Sequence, residues 1–309
     1  MTRGERLLRC CGMLAALAPL LLVPLLSEAD DAPLRDGELV AANVLYRPRV
    51  TDEFAQRMCR LDVYVPASAG NDGPAKSTPR RETAGPLPVV VWLHGGGLTS
   101  GGREVPQELQ GAGVLVVPVD YRLAPQVTVS DCIDDAAAAV AWTLEHIGRY
   151  GGRADRVFLA GHSAGGYLTM MVGLDRRWLE AYGHRPGELA GLVPYSGHTI
   201  THFTERKARG MPREQPLVDA MAPLYHVRDD APPLRLITGD RDRELLGRYE
   251  ENAYFWRMMQ VVEHSDCELL ELDGFDHGGM VNPAHALLLD FVRRRVRELD
   301  RAEQSADSP

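Results

Sequence analysis

Short apolar runs, rich in valine and leucine, alternate along this chain with longer segments of helical periodicity. Apolar runs of this kind are typical of strands that are buried on both faces of a sheet. We predict such strands at residues 87–93, 113–119, 156–160, 189–195, 233–238 and 267–272. The apolar periodicity of the intervening segments predicts helices at residues 131–148, 167–172, 244–262 and 283–300.

Two earlier segments, residues 38–46 and 59–65, alternate apolar and polar side chains and predict an antiparallel pair at one edge of the sheet. Residues 66–88 are rich in proline, glycine, serine and charge, which indicates a surface loop. Strands that alternate with helices form a parallel sheet with helices on both faces. We therefore predict an α/β fold with a mostly parallel, eight-stranded sheet, in a single domain at residues 30–309.

The N-terminal segment has a different character. Three arginines precede the apolar residues 13–26, and Ala29 completes a pattern of small residues at a cleavage site. This combination is typical of a secretory signal peptide, so we predict a leader at residues 1–29 and a secreted or periplasmic protein. An uncleaved membrane anchor is the alternative. The short apolar run and its two prolines disfavour it, and we expect no stable membrane insertion after cleavage.

The amino-acid composition argues against nucleic acid as a partner and against a zinc or redox centre. The formal net charge of −9 disfavours nucleic acid, which requires a basic face. Removal of the leader would leave Cys59, Cys132 and Cys267, which allow at most one internal disulfide. None of the three belongs to a C-x-x-C pair, so the sequence gives no support to a zinc or redox centre. We interpret them as buried free thiols.

The chain is organised around residues 161–166, whose sequence is G-H-S-A-G-G. A predicted strand leads into this stretch and a predicted helix leaves it. A G-x-S-x-G sequence between a strand and a helix is a nucleophile elbow, in which a serine is exposed at the tip of a strained turn. The neighbouring positions carry little or no side chain, which lets strand and helix approach closely. Ser163 is therefore the candidate nucleophile.

A second motif, H-G-G-G at residues 94–97, directly follows the predicted strand at residues 87–93. Glycines in a row leave backbone N–H groups free to face a developing negative charge, as an oxyanion hole requires. We predict that Gly95 and Gly96 provide such donors, together with the N–H of Ala164 at the start of a helix. His94 itself is better interpreted as a structural hydrogen-bonding residue than as a catalytic base.

Four predicted strand ends carry polar loops, in the order H-G-G-G, G-H-S-A-G, G-D-R-D and D-G-F-D-H-G. Functional residues of open parallel sheets gather at the carboxyl ends of the strands. The order of oxyanion loop, serine, aspartate and histidine resembles the α/β-hydrolase fold. Within that fold the chain is similar to the carboxylesterase and lipase branch with H-G-G-G, which includes acetyl- and feruloyl-esterase-like enzymes. One departure is Leu-Thr-Ser at residues 98–100, where related enzymes often have an aromatic residue.

The resemblance implies a catalytic triad of Ser163, His277 and Asp242. Ser163 would attack an ester carbonyl, His277 would take its proton, and Asp242 would orient the imidazole. Such chemistry requires no metal and no organic cofactor.

Each assignment has alternatives. Asp240 competes with Asp242, although the family pattern places the acid a few residues past the strand end. His264 and His285 compete with His277 as the base. His264 precedes the last predicted strand and His285 lies inside the last predicted helix, so neither occupies the loop from which a base would reach the serine.

The segment at residues 198–230 has weak periodicity and scattered proline and charge, which predicts a small cap over the active site. His198 and His202 are four residues apart, a spacing that can serve a metal ion. The sequence offers no third ligand near them, so a metal site is the weaker interpretation.

The function that these observations predict is that of a secreted serine carboxylester hydrolase. Its substrates would be small molecules, either short-chain or plant-derived esters. An arylformamidase or amide hydrolase of the same fold is the first alternative, and a non-catalytic binding relative is the second. The sequence leaves the oligomeric state open.

Overall fold

The computed structural model describes residues 37–66 and 86–306, which lie within one compact unit that spans Leu34–Pro309. The predicted leader and its boundary at residue 29 lie outside the described residues. The strands are β1 (Glu38–Leu45), β2 (Arg60–Val65), β3 (Leu87–Leu93), β4 (Leu115–Val119), β5 (Gly152–His162), β6 (Gly191–Tyr195), β7 (Leu234–Gly239) and β8 (Cys267–Leu272). The helices are α1 (Glu53–Met58), α2 (Val129–His146), α3 (Ala164–Leu174), α4 (Arg176–Glu180), α5 (Phe203–Ala208), α6 (Arg248–Val261) and α7 (Val281–Ala306).

The strands form one eight-stranded sheet in the order β1-β2-β4-β3-β5-β6-β7-β8. β1 and β2 pair antiparallel, as does β2 with β4, and the remaining neighbours are parallel. The predicted α/β fold with a mostly parallel sheet is confirmed. Because β3, β5, β7 and β8 run in the same direction, the loops that follow them emerge at the same edge of the sheet.

Each buried strand contributes to two cores, one on either face of the sheet. In β3, Val89 and Val91 face a cluster that includes apolar residues of α2 and α3. Val90 and Trp92 face the other cluster, in which Phe291 of α7 packs edge-on against Phe158. Burial of each such side chain stabilises the fold by about 1.5–3 kcal/mol. This two-sided burial explains why the parallel strands are continuous apolar runs in the sequence.

Several elements differ from the prediction, and three of these differences have a clear physical reason or a large extent. Helix α1 was not predicted, and the Asp52 side chain begins it by accepting from the backbone N–H groups of Phe54 and Ala55. Strand β5 starts at Gly152, earlier than predicted. Helix α6 starts at Arg248 rather than at residue 244, because a turn occupies the preceding residues and Gly247 adopts a left-handed conformation with φ 69°.

Residues 198–230 connect β6 to β7 and contain α5 and a short 3-10 turn, Pro223–His226. The segment is tied to the H-G-G-G loop, since the Thr204 hydroxyl donates to the carbonyl of Gly97 at 2.6 Å. It therefore lies beside one of the loops that carry the candidate site.

The three cysteines of the described ranges are free thiols, with Cys59 and Cys132 buried and Cys267 half-buried. Burial raises the pKa of each thiol to about 12. Among residues 37–66 and 86–306, no helix is long and apolar enough to cross a membrane.

Candidate active site

Ser163 occupies a sharp turn between β5 and α3, with φ 55° and ψ −110°. Its backbone N–H donates to the carbonyl of Tyr195 at 2.8 Å, which fixes the turn against β6. A Cβ atom on Gly165 would lie 2.0 Å from the carbonyl oxygen of Leu93, and one on Gly161 would lie 2.5 Å from the same oxygen. Only glycine fits at these two positions, because helix α3 starts in direct backbone contact with the end of β3.

The serine and histidine that the sequence singled out are in contact. His277 lies in the loop between β8 and α7, and its Nε2 atom is 2.9 Å from Ser163 Oγ. The hydroxyl donates to Nε2 when Nδ1 carries the ring proton. This pairing joins two strand-end loops that are 114 residues apart in the sequence.

The acid that contacts this histidine is Glu244, and the prediction of Asp242 is corrected. His277 Nδ1 donates to Glu244 Oε2 at 2.9 Å, and the glutamate side chain is only 1% exposed. Asp242 is exposed, and its backbone N–H donates to Asp240 Oδ1 at 2.9 Å. The alternative acid, Asp240, also accepts from the N–H of Gly274 at 2.8 Å, so it joins the two loops without contacting the imidazole.

The physical reason is the tight turn after β7. Because Asp240 accepts from the backbone of Asp242, this turn directs the second aspartate to the surface. Glu244 comes two residues later, where the chain turns back toward the sheet, and its longer side chain reaches the imidazole. The signal in the sequence was a third carboxylate in the same loop.

Glu244 is held in its ionised form. Burial by itself would raise the pKa of this carboxyl, but hydrogen bonds from His277, the Gly239 backbone and Ser196 lower it to about 2. The Gly239 N–H donates to Oε1 at 2.9 Å, and the Leu245 N–H donates to Oε2 at 3.0 Å. A buried carboxylate with this many donors is fixed in both charge and orientation.

Two further residues that the sequence analysis missed support the histidine. Ser196, at the end of β6, places its hydroxyl 2.9 Å from His277 Nδ1 and has a positive φ of 45°. The fully buried Arg248 donates from Nη1 to the carbonyl of Ser196. A Ser-Gly pair directly after a predicted strand was the available signal for Ser196, whereas nothing in the sequence marked Arg248.

The sequence analysis also missed the role of His162, the variable residue of G-x-S-x-G. Its Nε2 donates to the backbone carbonyl of His277 at 2.8 Å, and the two rings lie 4.7 Å apart. Burial, followed by the nearby charge of His277, lowers the pKa of His162 to about 4. A neutral imidazole therefore anchors the backbone of the loop that carries His277.

Two of the residues predicted as oxyanion donors, Gly95 and Ala164, lie next to the serine. A Cβ atom on Gly95 would lie 3.6 Å from Ser163 Cβ, and Ala164 is the next residue along the chain. Gly96 has φ 104°, and its carbonyl accepts from the N–H groups of Thr99 and Ser100. The loop therefore makes a tight turn at residues 96–100. Among the hydrogen bonds of the described residues, none is donated by the amides of Gly95, Gly96 or Ala164. These three amides therefore have no protein acceptor within the described ranges.

Residues 90–281 match the sequence model of a family described as having the alpha/beta hydrolase fold. The chain belongs to this α/β-hydrolase family. It is 28% identical over 259 residues to the "Probable carboxylic ester hydrolase LipM" of Mycobacterium tuberculosis, with 75% of this chain and 59% of that protein covered. It is 33% identical over 253 residues to the "Probable isoprenylcysteine alpha-carbonyl methylesterase ICMEL1" of Oryza sativa subsp. japonica, with 71% of this chain and 54% of that protein covered. The chain thus spans between half and two thirds of the length of these two relatives.

Solved structures show the same fold at low identity. Esterase B from Lactobacillus rhamnosis superimposes with a TM-score of 0.65 and 20% identity, covering 89% of this α/β hydrolase and 93% of that chain. A truncated carbohydrate esterase from gut microbiota gives a TM-score of 0.64 at 15% identity, covering 82% and 95%. At these identities the likeness establishes the architecture alone.

Three other histidines of this α/β hydrolase, among them the two alternatives for the base, are engaged elsewhere. His94 is buried, stacks on Tyr121 with ring centroids 4.3 Å apart, and donates from Nδ1 to the Gly95 carbonyl. His264 Nε2 donates to the carbonyl of Ala231, and His285 Nδ1 accepts from the Tyr195 hydroxyl at 3.2 Å. These contacts are structural.

His198 and His202, considered for a metal, have other partners. His198 Nδ1 donates to the Glu251 carboxylate at 2.9 Å, and His202 Nδ1 accepts from the Thr204 N–H at 3.2 Å. Burial lowers the pKa of both imidazoles. Within the part of the chain that the structure describes, no group of three His, Cys, Asp or Glu side chains is placed to hold an ion.

A cavity of about 560 Å³ lies between the 198–230 segment and the loop that follows Glu244, and its lining does not include Ser163, His277 or Glu244. Phe203 of α5 lines the cavity and also approaches the H-G-G-G loop, with its ring 3.2 Å from the position of a Cβ atom on Gly97. Leu245 and Leu246, which directly follow Glu244, line it as well.

Proposed function

We propose that this protein is a serine carboxylester hydrolase that acts through Ser163, His277 and Glu244. The observation that carries the proposal is the continuous hydrogen-bonded series from Ser163 Oγ through His277 to Glu244, with 2.9 Å at each step. The names of the curated relatives, a carboxylic ester hydrolase and a methylesterase, support this reaction class. For the substrate we retain the prediction of short-chain or plant-derived esters.

The geometry supports a two-step reaction. Ser163 Oγ attacks the ester carbonyl while His277 Nε2 takes the hydroxyl proton, and the amides of Gly95, Gly96 and Ala164 stabilise the oxyanion. His277 then gives the proton to the leaving alcohol, which leaves an acyl group on Ser163. A water molecule, activated by His277, attacks the acyl-enzyme and releases the acid. Throughout, ionised Glu244 holds the Nδ1–H tautomer and stabilises the imidazolium.

The proposal is tested with a fluorophosphonate probe and a series of p-nitrophenyl esters. The wild-type protein should be labelled and should turn over esters, whereas Ser163→Ala should not be labelled. Ser163→Ala and His277→Ala should each lower kcat by roughly 10³-fold or more, and the double variant should be scarcely worse because the residues act as a unit. Labelling that persists in Ser163→Ala would remove the nucleophile assignment.

Formyl-anilide substrates, assayed in parallel, distinguish the alternative reaction. Turnover of the anilide with no turnover of esters would make the protein an arylformamidase-type amide hydrolase. A correctly folded wild-type protein that turns over neither class and takes no label would instead indicate a non-catalytic relative.

We also propose that the protein is exported. The basic start, the apolar residues 13–26 and the small residues that end at Ala29 support this proposal. N-terminal sequencing of the protein from the producing cells tests it. A mature N-terminus at residue 30 is the expected result, and an intact leader on a protein retained in the cell would contradict it.

A further inference from the structure

The cavity beside the active site has two buried arginines in its wall. Arg206 lies on α5 and is 3% exposed, and Arg248 begins α6 and is 2% exposed. Arg248 donates to the carbonyl of Ser196, whose hydroxyl contacts His277, so this wall is one residue removed from the catalytic histidine. Phe203, which also lines the cavity, lies against Gly97, so the cavity borders residues that support both the histidine and the H-G-G-G loop.

In each guanidinium, one nitrogen donates hydrogen bonds to backbone carbonyls of the protein. Arg248 Nη1 binds the Ser196 carbonyl, and Arg206 Nη1 donates to the carbonyls of Arg213, at 2.8 Å, and Gln215. The Nε atoms of both arginines are buried and have no hydrogen-bond partner. The Nη2 atoms also make no hydrogen bond to any residue of the described ranges. Since the Nε atoms are shielded from solvent, the Nη2 groups are the donors that remain for a ligand in the cavity.

Among the described residues, no acidic side chain lies within ion-pair distance of Arg206 or Arg248. The buried carboxylate of the wall, Glu251, instead accepts from His198 Nδ1 and the Thr199 N–H. Burial raises the pKa of Glu251 to about 7, although the nearby charges of Arg248 and Arg206 act in the opposite direction.

Two other acidic residues, Glu214 and Glu250, also line the cavity. Both are exposed to water, which screens their charge and weakens their interaction with the buried arginines. The buried wall is therefore deficient in negative charge.

The two Nη2 groups determine what chemistry fits. One charged N–H donor from each arginine can serve each of the two oxygens of a carboxylate. Leaving such donors buried and unpaired is costly, and a bound anion would remove that cost. Phe203, Leu245 and Leu246 supply apolar surface next to the arginines, which suits a short methylene chain.

We propose that the preferred substrates are esters that carry a second, free carboxylate, which binds in this cavity to Arg206 and Arg248. The typical substrate would be a monoester of a short dicarboxylic acid. Its ester carbonyl would lie at Ser163 and its carboxylate at the Nη2 groups of the two arginines. This assignment rests on the proposed ester hydrolysis and adds the substrate class to it.

The first test compares two p-nitrophenyl esters of glutaric acid, one with a free distal carboxylate and one with that carboxylate methylated. With the wild-type protein, kcat/KM should be at least tenfold higher for the free carboxylate, in line with charge-assisted hydrogen bonds. In Arg206→Gln this ratio should fall towards one. Arg213→Gln is the matched control, because Arg213 also lines the cavity but is exposed, and it should keep the wild-type ratio.

The second test does not depend on turnover. Monomethyl glutarate and dimethyl glutarate are titrated calorimetrically into Ser163→Ala, and the monoanion should bind at least tenfold more tightly. If no ester is hydrolysed but the monoanion binds preferentially, the proposed function fails and the carboxylate site stands. If neutral esters are hydrolysed but the wild type shows no preference for the free carboxylate in either test, the carboxylate site is wrong. A ratio unchanged in Arg206→Gln, with the variant folded, would also overturn it.

Discussion

The elbow at Ser163 and the acid loop after β7 both follow buried parallel strands, yet different forces hold them. At the elbow, backbone packs on backbone, because Gly161 and Gly165 both lie against the carbonyl oxygen of Leu93. No side chain could be added to either glycine without displacing β3 or α3. Close backbone packing, which requires glycine at both positions, therefore fixes the position of the nucleophile.

The acid loop is held by side chains that bind backbone amides. Asp240 accepts from the amides of Asp242 and Gly274, and Glu244 accepts from those of Gly239 and Leu245. Two carboxylates of one loop thus have different tasks: Asp240 joins two loops at the surface, and Glu244 is buried against the histidine. Asp242, between them, is exposed.

The difference shows what kind of change each region tolerates. The elbow depends on space, so a single added methyl group should disrupt it. The acid loop depends on which carboxylate is buried, so a change of charge should matter at one position and hardly at all two residues away.

The largest expected effect concerns the acid loop. Glu244→Gln should lower kcat by roughly 10³-fold or more, because the neutral amide no longer stabilises the imidazolium and no longer fixes the Nδ1–H tautomer. Asp242→Asn is the matched control and should stay within about twofold of wild type, since such exposed changes rarely disturb a site. Ester kinetics at saturating substrate measure both. The reverse pattern would restore Asp242 as the acid.

The next largest expected effect is a loss of folding stability when a side chain is added at the elbow. Gly165→Ala would place a Cβ atom 2.0 Å from the Leu93 carbonyl oxygen, and the forced backbone shift should lower the free energy of unfolding by about 3 kcal/mol. Gly187→Ala serves as the control, because a Cβ atom there meets nothing within 4 Å. Urea denaturation measures both variants. Equal stabilities would show that the elbow has room for a side chain.

The smallest expected effect concerns His162, which links the elbow to the histidine loop. Burial lowers its pKa in the folded protein to about 4, whereas the unfolded side chain titrates near its ordinary pKa of 6.5. Between these values the unfolded state binds more protons, so stability falls as the pH is lowered from 6.5 to 4. His162→Gln should reduce the slope of the unfolding free energy against pH by up to about 1.4 kcal/mol per pH unit.

Urea denaturation across this pH range measures the slope. Ser163→Ala keeps His162 and should keep the wild-type slope. Because glutamine retains an N–H donor for the His277 carbonyl, ester turnover of His162→Gln should fall by no more than about tenfold. An unchanged slope would mean that His162 is protonated in the folded protein near pH 6.

Much of this arrangement could be predicted because it depends on local sequence. The apolar runs of β3 to β8 mark strands buried on both faces, and G-H-S-A-G-G marks a turn that tolerates no side chains. The loop of His277 could be identified because it follows the last predicted strand. Glu244 could not be singled out, because three carboxylates within five residues look equivalent until the turn after Gly239 exposes Asp242 and buries Glu244.

The sequence by itself determined the order of strands and helices, the elbow around Ser163 and the loop that carries His277, since periodicity and glycine spacing act over a few neighbouring residues. Only the tertiary structure decided that Glu244 contacts the imidazole, that His162 and Ser196 support it, and that Arg206 and Arg248 line one cavity. Burial and hydrogen bonding of these groups depend on segments that are distant in the chain, and no local pattern records which of them will meet.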